Sequence, residues 1–185
     1  MKRFLGLFLS LIIVLGMVSG FPISVSAASV SDLTFALNED GKSYAVTDCK
    51  ETASGQISIP SEYKGLPVTK IGDYAFYSCG SIEGIEIPST VASIGRCAFY
   101  ATYVNKITIP KGVTVLEDGT FSDCYKLSSV TLPEGITSIG EYCFMSCDDL
   151  TSITLPSTLK TIGNQAFDSC TGFTTINLPA GVTHI

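Results

Sequence analysis

The chain has 185 residues, 45% of them hydrophobic, enough for one ordinary domain with a core of its own. Eleven Lys and Arg against seventeen Asp and Glu leave a formal net charge of −6. That balance argues against binding nucleic acid or an anionic membrane surface, both of which call for a basic patch.

Met1-Lys2-Arg3 is a short basic start, and the run from Phe4 to Val18 is almost wholly apolar. "GFPISVSAAS" follows, a helix-breaking stretch ending in small residues. This is the layout of a secretory signal peptide, so residues 1–28 are predicted to be cleaved after Ala27 or Ala28 during export. The apolar run is shorter than the roughly 20 residues a membrane-spanning helix needs. No membrane insertion is expected after cleavage.

Residues 29–56 read as a cap. "LTFALNEDGKSYAVTDC" is a strand, an Asn38-Glu39-Asp40-Gly41 turn and a second strand. A hairpin there would cover the open edge of whatever repeats follow.

From residue 57 to 185 the chain repeats itself. Prolines preceded by Ile or Leu stand at Pro60, Pro88, Pro110, Pro133, Pro156 and Pro179, with gaps of 28, 22, 23, 23 and 23. Phe76, Phe99, Phe121, Phe144 and Phe167 keep the same step, with gaps of 23, 22, 23 and 23. Two residue types holding one period define a repeat. The unit reads LxxLxLPxxLxxIGxxAFxxCxx, with other apolar residues replacing Leu. In each copy a triplet such as Ile82/Ile85/Ile87 alternates like a strand and ends at proline, which lacks the N–H to continue a ladder. A second apolar pair such as Val91/Ile94 marks another inward segment. The glycines at Gly72, Gly95, Gly140 and Gly163 are predicted to turn the chain at positive φ.

One 23-residue coil cannot bury these faces alone. Stacked coils give each apolar residue a like neighbour above and below, so the five Phe should form one continuous column. The prediction is a β-rich solenoid of about five coils and a partial one, with short strands and short helical or 3₁₀ turns. Two irregularities fall in turns: about five extra residues between Pro60 and Val68, and one residue too few between Phe99 and Val104. The chain stops at "LPAGVTHI", midway through a unit, from which further repeats downstream are expected.

"ITLPSTLKTIGNQAFDSC" (Ile153 to Cys170) and its sister copies resemble the BspA-like leucine-rich repeats of bacterial secreted and surface proteins. Proline replaces the Asn or Cys of the common leucine-rich repeat, and "IGxxAFxxC" closes the unit. The resemblance implies a secreted or cell-surface protein that mediates protein–protein interaction or adhesion with host or neighbouring cells. The alternative is a passive spacer presenting a further C-terminal domain.

Little else suggests chemistry. Cys79, Cys124, Cys147 and Cys170 share one repeat slot, with Thr102 in the slot of the second coil, and read as a column of buried thiols. Cys49, Cys97 and Cys143 fall outside it. His184 is the sole histidine, in a slot held by Ser93, Ser138 and Thr161 elsewhere. No metal site, cofactor or catalytic set is expected, and the protein is read as a non-enzyme. The outward strand positions are the candidate binding surface: Glu86, Lys106, Thr108, Ser129, Thr131, Ser152, Thr154, Thr175 and Asn177, beside Glu83, Gly84 and Asn105. They are predicted to form a flat sheet face rich in hydroxyls. Tyr77, Tyr100, Tyr103 and Tyr125 cluster on the turns, a second candidate rim.

Overall fold

The computed structural model describes residues 30–185; the predicted signal peptide lies outside them. The strands in chain order are β1 (Leu33–Leu37), β2 (Tyr44–Cys49), β3 (Gly55–Ser58), β4 (Glu62–Tyr63), β5 (Leu66–Ile71), β6 (Ile82–Glu86), β7 (Ser93–Ile94), β8 (Lys106–Thr108), β9 (Val115–Leu116), β10 (Ser129–Thr131), β11 (Ser138–Ile139) and β12 (Thr161–Ile162). Among the described residues helix is confined to one 3₁₀ turn, Val30–Asp32.

Each coil has three sides. The first is the outward strand: β3, β6, β8 and β10 pair in parallel as one sheet. The second is the short inner pair: β7 pairs with β5 in one sheet, and β9, β11 and β12 form another. The third is the "AF" turn, and it is neither helical nor 3₁₀ as the sequence suggested. Two residues before and two after each Phe the backbone crosses into the left-handed region, at Tyr74 and Ser78, Cys97 and Ala101, Gly119 and Asp123, Tyr142 and Ser146, and Gln165 and Ser169. These inversions stop a helix from propagating and turn alternate N–H groups along the stack. Tyr74, Phe76 and Ser78 thus donate to the carbonyls of Arg96, Ala98 and Tyr100 one coil on, at 2.9, 2.8 and 2.8 Å. The pattern recurs from Cys97, Phe99 and Ala101 to Asp118, Thr120 and Ser122. The turn side is a third inter-coil ladder.

The predicted aromatic column is present. Phe76, Phe99, Phe121 and Phe144 are fully buried, and the column continues to the half-buried Phe167. Successive ring centroids are 5.3, 5.3, 5.4 and 5.3 Å apart, with planes within 20° of parallel. Parallel rings at that spacing are offset-stacked, a favoured aromatic geometry.

The repeat glycines act differently from expectation. Positive-φ glycines are Gly41, Gly55, Gly65, Gly119 and Gly135, which leaves Gly72, Gly95, Gly140 and Gly163 with ordinary backbones. What they supply is close approach. A Cβ on Gly163 would lie 2.5 Å from the Glu141 nitrogen, and one on Gly140 2.6 Å from that of Asp118. Neighbouring coils touch backbone to backbone there.

The N-terminal hairpin forms. β1 and β2 pair antiparallel, and β2 joins β5 in parallel, so the hairpin covers the β5 edge of the first coil. Its turn is set by Asp40, whose carboxylate accepts the Lys42 and Ser43 N–H groups at 2.8 and 3.2 Å, while Gly41 takes φ 64°. The Lys42 hydrogen bond, first among several causes, holds the Asp40 carboxyl below the usual carboxylate value. The first outward strand, β3, starts two residues before the expected solenoid boundary at residue 57. The extra residues after Pro60 bulge outward, as expected, and fold back as a small hairpin. β4 pairs antiparallel with β5 through Lys64 and Gly65, both at positive φ. Tyr63 on this hairpin stacks on Phe35 at 4.1 Å and meets Tyr44 edge-on at 5.1 Å, tying insert and cap together.

Candidate interaction surface

The outward strand positions lie over a concavity of about 870 Å³, not on a flat face. Its apolar floor includes Ile85, Ile87, Ile107 and Ile109, and Pro110 and Pro133 stand where the strands end. These prolines follow directly from the repeat, which stops each outward strand at the same height. Glu86, Lys106, Thr108, Ser129 and Thr131 all line the concavity and are solvent-exposed. They come from β6, β8 and β10, which the parallel register sets side by side: Ser129 opposite Lys106, and Thr131 opposite Thr108.

Four predicted members fall elsewhere. Ser152, Thr154, Thr175 and Asn177 are exposed as expected, but the hydrogen-bonded sheet ends at β10 and none of them lines the concavity. The later coils stay joined on their other two sides, by β11–β12 and by bonds such as Ser146 N–H to the Asp168 carbonyl at 2.9 Å.

Gln56, Ser89 and Lys111 also line the concavity and were not foreseen. Gln56 lies just before the first recognisable triplet, yet its side chain rests over Gly84, where an added Cβ would collide with it. The signal in the sequence was the glycine at an outward strand position. Lys111 follows the strand-ending proline and swings back to the rim. Lys106 and Lys111 have no ion-pair partner among the described residues; the salt bridges there join Lys50 to Asp32, Arg96 to Asp118 and Lys126 to Asp149. In an acidic protein the concavity therefore carries two uncommitted ammonium groups facing one carboxylate, Glu86. Charged donors, hydroxyls and an aliphatic floor suit a surface that holds a partner.

The thiols line the interior. Cys79, Cys124, Cys147 and Cys170 are buried in one column, and Cys124, Cys147 and Cys170 each donate to the carbonyl of the preceding coil's Phe: Phe99, Phe121 and Phe144, at 3.0, 3.2 and 2.9 Å. Thr102 fills its slot, with its Oγ1 3.3 Å from the Cys124 sulfur. Cys49 belongs to the column after all: it is buried, and the Cys79 thiol donates to its carbonyl at 3.6 Å. The cap hairpin delivers it there, a placement that repeat spacing does not encode. Burial pushes the Cys124 thiol up to about 11 and holds the Cys143 thiol higher still. Thiols kept protonated in this way are poor nucleophiles. His184 is exposed, its Nδ1 2.9 Å from Thr183 Oγ1.

A solenoid of parallel-stacked coils with one exposed, partner-sized face is the architecture of a repeat-built binding scaffold. Residues 69–185 match the family model described as a BspA-type leucine-rich repeat region, in six copies, and the chain belongs to that family. Among solved structures it is similar to a leucine-rich repeat protein of T. pallidum, with 28% identity, a TM-score of 0.78, and coverage of 84% of this chain and 73% of that one. A leucine-rich repeat protein of Bacteroides ovatus matches at 28% identity and TM-score 0.65, over 82% of this chain and 47% of that one. A leucine rich cell surface protein of Faecalibacterium prausnitzii matches at 28% identity and TM-score 0.50, over 86% of this chain and 55% of that one. This chain thus spans about half the length of the latter two. No curated protein matches it.

Proposed function

We propose that this protein is exported or displayed on the bacterial surface and binds proteins of host or neighbouring cells through its outward strand face, without doing chemistry on them. The observation that carries the reading is the convergence of Glu86, Lys106, Thr108, Ser129 and Thr131 on one concavity with an aliphatic floor. The start of the chain, basic, then apolar, then small residues, and the description of the F. prausnitzii neighbour as a cell surface protein support the location.

The test is capture of extracellular-matrix and cell-surface proteins on the immobilised full chain, beside a Lys106→Glu/Thr131→Arg variant whose melting curve matches. Both side chains point to solvent, so the variant should fold. Loss of captured proteins in the variant supports the reading. Capture that the variant retains, or none at all, overturns it, and the latter favours the spacer.

A further inference from the structure

The turn side of the solenoid carries a surface that the reading above does not use. Of the eight tyrosines in the chain, five are exposed there: Tyr74, Tyr77, Tyr103, Tyr125 and Tyr142. Four of these join with Tyr100 into a strip over three coils. Tyr74 meets Tyr77 edge-on at 5.9 Å, and Tyr77 stacks on Tyr100 at 5.0 Å with planes 10° apart. The Asp123 carboxylate lies close enough to the Tyr100 and Tyr125 hydroxyls to act on both, and Tyr103 neighbours Tyr125. Like positions in successive coils explain the alignment: Tyr77 and Tyr100 each follow a column Phe, and Tyr103 and Tyr125 each lie four residues after one.

At its N-terminal end the strip opens on a concavity of about 400 Å³ lined by Asp48, Cys49, Glu51, Tyr74 and Tyr77. Asp48 and Glu51 have no ion-pair partner among the described residues; Lys50 between them is engaged by Asp32 at 3.3 Å. Two unneutralised carboxylates beside two phenol rings match a guanidinium or ammonium group, which gains both Coulomb attraction and cation–π contact. The strip spans about 10 Å, the reach of three to four extended residues. We propose that this strip docks an extended basic segment of a partner protein, with one Arg or Lys side chain seated between Asp48, Glu51, Tyr74 and Tyr77.

A fluorescein-labelled Gly-Arg repeat octapeptide, with Gly-Glu and Gly-Ser octapeptides as controls, tests this on the full chain. Anisotropy reports binding, and intrinsic tyrosine emission reports the site, since the chain has no tryptophan. The Arg peptide is expected to bind and quench tyrosine emission. Asp48→Asn/Glu51→Gln, and separately Tyr74→Ala, should each weaken it about tenfold. Lys106→Glu on the outward face should leave affinity unchanged, so this surface and the other fail independently. Equal binding of the Glu or Ser peptide overturns the proposal, as does affinity unmoved by the carboxylate pair or altered instead by Lys106→Glu. The carboxylate variant removes only surface charge, so the test survives any misfolding of Tyr74→Ala.

Discussion

The Cys147 thiol donates to the carbonyl of Phe121, one coil back, at 3.2 Å. The same bond joins Cys124 to Phe99 and Cys170 to Phe144, so the thiol column clips the backbone behind the ring column. The turn ladder engages the N–H of these Phe residues, and each of their carbonyls accepts the thiol beside a backbone N–H three residues on: Thr102 at Phe99, Cys124 at Phe121 and Cys147 at Phe144. Cysteine suits the slot because it is small, apolar and still a weak donor. Cys147→Ala is expected to cost about 1–2 kcal/mol in urea unfolding. Cys147→Ser keeps a donor to Phe121 and should cost less than Ala; a serine variant less stable than the alanine one would mean that apolar packing alone fills the slot.

Truncating the ring column should be most costly at its middle. Phe121 stacks on both sides and is fully buried, so Phe121→Ala should lose about 3–5 kcal/mol. Phe167 is only half-buried, and Phe167→Ala should lose clearly less by the same denaturant measurement.

Glycine variants separate close approach from backbone freedom. Gly163→Ala puts a methyl 2.5 Å from a backbone nitrogen, and the coil must shift to admit it; a loss above about 2 kcal/mol is expected. Gly41→Ala meets nothing within 4 Å and pays only for its positive φ, about 1 kcal/mol. Thermal melts of the two variants would show the order, and a reversed order would refute the close-contact role.

Ser122 is buried at 2% exposure, and its hydroxyl has no hydrogen-bond partner among the described residues. Tyr77 and Tyr100 hold the equivalent position in earlier coils, where it reaches the surface strip. Ser122→Ala should stabilise by about 1 kcal/mol, read as a higher urea midpoint at unchanged slope.

The Asp123 carboxylate, beside the Tyr100 hydroxyl, favours its protonated form and pushes that phenol up to about 12 from the ordinary 10. The folded state therefore holds the proton more tightly than the unfolded chain. The resulting stabilisation is complete below pH 10 and is lost as pH rises from 10 through about 12. Tyrosinate absorbance should show a late-titrating tyrosine that returns toward 10 in Asp123→Asn.

The ring column, the outward strand positions and the thiol slot were legible because each rests on period alone: side chains at one phase of a stacked coil must meet their copies. The turn side was not. Apart from Gly119, its left-handed residues are Tyr, Ser, Cys, Ala, Asp and Gln, which do not mark a turn as glycine does, and their conformation is held by bonds to the next coil. The repeat glycines misled for the same reason, since their demand comes from the backbone of the neighbouring coil. Cys49, Gln56 and Tyr63 reach their places through the cap and the inserted hairpin, which lie outside the repeat.

By itself the sequence determined that this protein is a stack of like coils and which side chains share each interior column, because hydrophobic periodicity leaves no other way to bury them. Only the tertiary structure decided how far the outward sheet extends, that its surface is hollow, and which tyrosines and carboxylates face each other. Those depend on how neighbouring coils dock, which packing between distant residues sets and local pattern does not.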